Sequence, residues 1–166
     1  TSPTRFFVNE AIADDFADAF VARAAATRVG NGMESGVEMG PTANDRRPPA
    51  LQALVDDAVE RGARLALGGT RQGERGYFFA PTVLCDVPPD ARIMHEEPFG
   101  PIAVLNRVPS LDAAIRAANA VPYGLAGYAF TNRADYIDRM IDEVEVGNLS
   151  IHTLEASMPE TPFGGV

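Results

Sequence analysis

From Arg5 to Ile151 the chain alternates short, β-prone apolar runs with longer stretches whose apolar residues recur every three or four positions, and this alternation predicts an α/β layer fold. Arg5 to Val8 reads as a buried strand. Ala13, Phe16, Phe20, Ala24 and Thr27 then fall on one helical face, with Asp14, Asp15 and Asp18 near the positive end, Arg23 and Arg28 near the negative end, and Gly30 beyond as a stop. Gly30 to Pro49, rich in Gly, Asn and Pro, reads as an extended connection. A second helix starts near Pro49, carries Leu51, Leu54, Val55 and Ala58 as its apolar stripe, and exits at Gly62.

Strands follow at Arg64 to Leu67, at the β-prone runs Tyr77 to Phe79 and Thr82 to Leu84, and at Ile102 to Leu105, which suits a strand buried on both faces. Ser110 caps a helix carrying Leu111, Ile115 and Ala118. Gly127 to Thr131 reads as a strand. The last helix begins at Thr131 or Asn132 with Ile137, Met140, Ile141 and Val144 as its buried stripe, and Asn148 to Ile151 returns as a strand. No internal repeat or low-complexity linker interrupts the pattern, and 166 residues, 46% of them apolar, fit one domain.

The bulk charge excludes several classes of partner. With 23 acidic against 14 basic side chains, the net charge of -9 repels phosphate backbones and anionic membrane surfaces, so neither nucleic acid nor membrane is expected. All the basic residues are arginine, which rules out lysine-based chemistry within this stretch. No apolar run approaches the roughly 18 residues of a spanning helix. The single Cys85 suits a reducing compartment, and a cytoplasmic location is expected. Cys85 stands in the strand-like run Pro81-Thr82-Val83-Leu84-Cys85-Asp86 and reads as a small buried hydrophobe rather than a nucleophile. Neither His95 nor His152 sits in a ligand-like spacing, so no metal site is expected.

One loop carries a candidate site. In Met94-His95-Glu96-Glu97-Pro98-Phe99-Gly100-Pro101, Glu97 lies just before a sheet strand, where α/β proteins gather ligand groups. A carboxylate has acceptor sites for both hydroxyls of a ribose. The plainer reading is a solvated Glu-Glu pair before a turn.

Taken in order, several motifs resemble the aldehyde dehydrogenase family. They are Thr1-Ser2-Pro3-Thr4-Arg5-Phe6-Phe7-Val8, Gly40-Pro41, Pro81-Thr82-Val83, the Glu96-to-Pro101 run, Pro122-Tyr123-Gly124-Leu125, Gly147-Asn148 and Pro162-Phe163-Gly164-Gly165. The resemblance spans nearly the whole chain. It implies a three-layer α/β fold with a mostly parallel sheet and helices on both faces, residues 1–166 forming one domain: the part of the catalytic domain downstream of the nucleophilic cysteine. That nucleophile would be the residue before Thr1, so no catalytic residue falls in the chain, and the cofactor-binding domain would lie upstream.

The resemblance further implies NAD or NADP as cofactor and an aldehyde as substrate, oxidised to a carboxylic acid through a cysteine thiohemiacetal. Glu97 matches the glutamate that binds the nicotinamide ribose, and Phe99 the aromatic beside the nicotinamide. Phe163 matches an aromatic lining the aldehyde tunnel, and Ser157 falls where members vary with substrate, though it reads equally as a polar loop residue. His152 stands where the family usually has asparagine. The closing Glu160-to-Val166 segment looks most like semialdehyde-oxidising members such as succinate-semialdehyde dehydrogenases. The complete enzyme is expected to be a homo-oligomer and this stretch alone inactive. The alternative is a stand-alone, non-catalytic binding or assembly module derived from the family.

Overall fold

The computed structural model describes residues 2–155 and 157–166. The chain divides into two compact units, one spanning Thr4–Arg107 and the other Val108–Val166 with Ser2 and Pro3.

The first unit is a four-stranded sheet between two helices. Strands β1 (Arg5–Asn9), β2 (Arg64–Leu67), β3 (Thr82–Cys85) and β4 (Ile102–Val108) are ordered β1-β4-β3-β2, with β3 and β4 parallel and β2 antiparallel to β3. Successive residues of a strand point to opposite faces, and the two cores follow that rule. Phe6, Val83, Cys85 and Leu105 pack on one side with Ala17, Phe16, Phe20 and Val21 of helix α1 (Ala13–Ala25). Phe7, Leu84, Ile102 and Val104 pack on the other with Leu51, Leu54, Val55 and Ala58 of helix α2 (Arg47–Glu60). Burying each of these large side chains contributes roughly 1.5–3 kcal/mol before entropy is counted. The sheet therefore has helices on both faces, as expected.

Local chemistry accounts for most boundaries. Pro48 and Pro49 occupy the first turn of α2, where a missing N–H costs nothing. Gly62, at φ 107°, ends it in a left-handed conformation. Thr82 is the buried polar residue of β3, and its hydroxyl is fully used: it donates to the Ala80 carbonyl at 2.7 Å and accepts from the Gly69 N–H at 2.8 Å.

In the second unit, strands β5 (Ala126–Ala129) and β6 (Asn148–Ile151) pair in parallel, joined through helix α4 (Ala134–Glu143) and preceded by helix α3 (Leu111–Ala118). Ser110 caps α3 by accepting from the Ala113 N–H, as its type predicts.

Three expectations need correction. Tyr77 to Phe79 is not a strand: only Phe79 bridges, to Arg71, while the carbonyls of Tyr77 and Phe78 accept from the N–H groups of Thr42 and Gln72, both in loops. The last helix starts at Ala134, since the Thr131 hydroxyl accepts from the Arg133 N–H in a turn before it. Its apolar stripe is also not buried. Ile141 is 61% exposed and no α4 residue is buried, because a two-stranded sheet offers too little surface to cover the helix.

Candidate functional site

Residues His95 to Pro101 connect a short 3-10 turn, Arg92–Met94, to β4, and several anchors hold this loop. The Arg92 N–H donates to Asp57 of α2 at 2.8 Å, and the Arg92 guanidinium grips Glu96 with two bonds of 2.8 and 3.0 Å. The Arg92 N–H is the main cause of the depressed pKa of Asp57, and the Arg92 side-chain bond that of Glu96. His95 donates from Nε2 to the Pro89 carbonyl at 2.7 Å, while Ile93, Met94 and Pro98 are buried. Gly100 lies directly on Leu51. A Cβ there would stand 2.5 Å from a Leu51 methyl, and Leu51 is fully buried, so the loop passes over α2 only as glycine.

These anchors leave Glu97 out. It is exposed, and among the described residues its carboxylate meets no hydrogen-bond donor. Phe99 beside it is 69% exposed and sits at φ 44°, a left-handed backbone that costs a bulky residue free energy. The Arg47 guanidinium stands 5.9 Å from the centre of the Phe99 ring, and its Nη2 donates to the Pro98 carbonyl. The structure thus brings Glu97 and Phe99 together on one loop of the first unit, one offering acceptors and the other a flat apolar face.

Ser157 and Phe163 lie in the closing segment of the second unit, on either side of a turn in which Thr161 bonds back to the Met158 carbonyl through both its N–H and its hydroxyl. Both side chains are exposed, Phe163 at 48%. The segment is tied to β5 and β6 at its end: the N–H groups of Val166 and Gly147 both donate to the Gly124 carbonyl at 3.1 Å. Before it, His152 adopts φ 57°, and its Nε2–H donates to the Thr131 carbonyl at 2.7 Å with the Phe130 ring edge-on at 6.0 Å. Histidine is among the residues enriched in this left-handed conformation.

Cys85 is inside. It is 2% exposed on β3, burial raises its thiol pKa, and the adjoining cavity is only about 10 Å³, room for one water. It belongs to the core, as its apolar run suggests. Among the described residues, no three His, Cys, Asp or Glu side chains gather as metal ligands, and no helix is long and apolar enough to cross a membrane.

Arg47 and Asp57, which support the candidate loop, were not singled out in the sequence. Both sit on the α2 helix far from the motif, and only the i, i+4 spacing of Arg92 and Glu96 announces a local pairing.

Comparison with known proteins identifies the family over the full length. The chain matches the aldehyde dehydrogenase family model across residues 1–166, and it belongs to that family. It is 50% identical over 165 residues to 4-(hydroxymethyl)benzenesulfonate dehydrogenase TsaD1 of Comamonas testosteroni, covering 99% of this chain and 34% of that one. It is 40% identical over 162 residues to the NADP(+)-dependent succinate-semialdehyde dehydrogenase 1 of Mycobacterium tuberculosis, covering 98% and 35%. The crystal structure of succinate-semialdehyde dehydrogenase from Burkholderia pseudomallei superposes with a TM-score of 0.94 at 39% identity, over 98% of this chain and 34% of that one. The chain therefore spans about a third of the length of these relatives.

Proposed function

We propose that the protein containing this chain oxidises an aldehyde to a carboxylic acid with NAD or NADP, and that this chain supplies part of the cofactor and substrate sites. The observation that carries the reading is the unequal use of two adjacent glutamates. Glu96 is consumed by Arg92, whereas Glu97 keeps all its acceptor sites open beside an exposed aromatic ring. Holding Phe99 in an unfavourable backbone with its ring in water gives the fold nothing, so a ligand is the better account of it.

The chain's residues fit a nicotinamide dinucleotide on that ground. Glu97 would accept from the ribose hydroxyls, and Phe99 would flank the nicotinamide. When bound, that ring supplies the hydride acceptor. Phe163 would line the aldehyde path and Ser157 would tune it. The chain itself offers no nucleophile, because its one thiol is sealed in the core; a cysteine elsewhere in the whole protein would form the thiohemiacetal, and residues 1–166 alone would be inactive. In this reading the stretch is part of one catalytic domain, the dinucleotide-binding domain lies elsewhere in the protein, and the assembly is a homo-oligomer.

For the substrate we propose an aldehyde that also carries an acid group. Relatives are named for a (hydroxymethyl)benzenesulfonate and for succinate semialdehyde, both of which carry an acid group. In the full-length protein, kcat/KM for succinate semialdehyde is expected to exceed that for butanal, which lacks the carboxylate. Equal values would remove the acid group from the proposal.

The cofactor site is tested by E97Q in the full-length protein. Replacing charge-assisted hydrogen bonds worth about 1.5–3 kcal/mol is expected to weaken cofactor binding roughly tenfold to a hundredfold. Unchanged cofactor binding would return Glu97 to a solvated surface acid.

A further inference from the structure

Arg47 opens α2, and its side chain runs back along the candidate loop. Three observations meet there. Its Nη2 donates to the Pro98 carbonyl, its guanidinium stands over the Phe99 ring, and its Nε is buried without a hydrogen-bond partner among the described residues. A buried N–H without a partner costs free energy, and nothing in the first unit's core needs a guanidinium at this place. Phe99 meanwhile needs holding. Its backbone is in the left-handed region and its ring is mostly in water, so neither local conformational preference nor burial fixes it.

We propose that Arg47 is a positioning residue for the cofactor loop: by fixing the Pro98 carbonyl and the face of Phe99 together, it sets where the carboxylate of Glu97 and the ring of Phe99 stand. The inference rests on the ribose-binding reading of Glu97 above. Arginine suits the task because one planar fork donates in its plane and presents its face to an aromatic ring, which an ammonium group cannot do simultaneously. Leu51, one turn further along α2, completes the seat by receiving Gly100. The first two turns of α2 are thus the platform on which Pro98, Phe99 and Gly100 rest.

The test uses the full-length protein and reads binding rather than turnover. NAD+ and NADP+ are titrated calorimetrically into the wild type, R47M, R47K, E97Q and the R47M/E97Q pair, with melting temperatures and aldehyde KM measured alongside. R47M is expected to weaken the preferred nucleotide about tenfold while leaving the aldehyde KM unchanged, and R47K to fall between R47M and wild type. The pair is expected to lose less than the product of the single losses, since both changes act on one contact. A nucleotide affinity of R47M within twofold of wild type, or losses that multiply, would overturn the proposal. Should R47M fail to fold, R47Q is read instead: it keeps a donor for Pro98 and removes the cation from the ring, so its loss is expected to exceed twofold but stay below tenfold, and an affinity within twofold of wild type would overturn the proposal. If E97Q binds nucleotide normally, the ribose reading itself falls; if E97Q is weak and R47M is not, only the role of Arg47 falls.

Discussion

Glu96 and Glu97 are chemically identical neighbours with different surroundings, and the difference lies in what the fold places within reach. Arg92, four residues before Glu96, takes that carboxylate in a two-bond grip and holds its pKa below the usual range. E96Q is expected to loosen the turn before β4 and lower stability by no more than about 1 kcal/mol, the scale of an exposed pair, as read by urea unfolding. Cys85 makes the opposite point, since a residue type often associated with catalysis is here packed against α1. A thiol reagent is expected to label it slowly in the native protein and rapidly in denaturant, and C85S is expected to leave aldehyde oxidation by the full-length protein intact. Rapid native labelling, or loss of activity in C85S, would contradict its place in the core.

At the scale of elements, α2 joins core to site. Its Leu51, Leu54 and Val55 face the sheet, its Asp57 accepts the Arg92 N–H, and Leu51 in its second turn also seats Gly100. G100A is expected to cost about 1–3 kcal/mol, the range for overpacking a closed core, and to displace the cofactor loop. Chemical denaturation of G100A beside L51A checks both, since L51A is expected to lose about 2–5 kcal/mol by cavity formation. Acid should weaken the same joint. Asp57 and Glu96 both have folded pKa values below their unfolded values of about 3.9 and 4.3, so their contribution is present above those values and is lost as pH falls through the lower folded ones. Glu38, Asp135 and Glu143, each paired with an arginine, act in the same direction. Melting temperature is therefore expected to hold from neutral pH to about 5 and to fall below 4. In D57N that fall should be shallower; an identical acid profile would remove Asp57 from the account.

At the scale of the whole molecule, the chain exposes large apolar side chains in water. Phe130, Ile141, Leu154, Met158 and Phe163 in the second unit are all exposed. Contiguous apolar patches above a few hundred Å² are uncommon on monomers. The isolated 166-residue polypeptide is expected to bind a hydrophobic dye and to self-associate in sedimentation, in line with the proposal that the whole protein is a homo-oligomer. A monodisperse monomer without dye binding would favour a self-sufficient module.

Periodicity in the sequence determined the α/β class, the helix faces of α1 and α2 and the strand character of β3 and β4, because alternation at two and recurrence near 3.6 are geometric properties that side chains display locally. Ser110, Pro49 and Gly62 marked helix ends for the same reason: a cap or a stop acts within a few bonds of its own backbone. The candidate loop was legible as a motif in Glu97 and Phe99. What only tertiary structure decided depended on residues brought together from distant positions. Tyr77 to Phe79 is β-prone yet lacks a strand partner; Ile141 has helical spacing but no sheet wide enough to cover it. Arg47 lies 51 residues from the carbonyl it holds, and Asp57 lies 35 from the N–H it accepts. No local propensity records such pairings, since their free energy exists only after the chain has closed the loops between them.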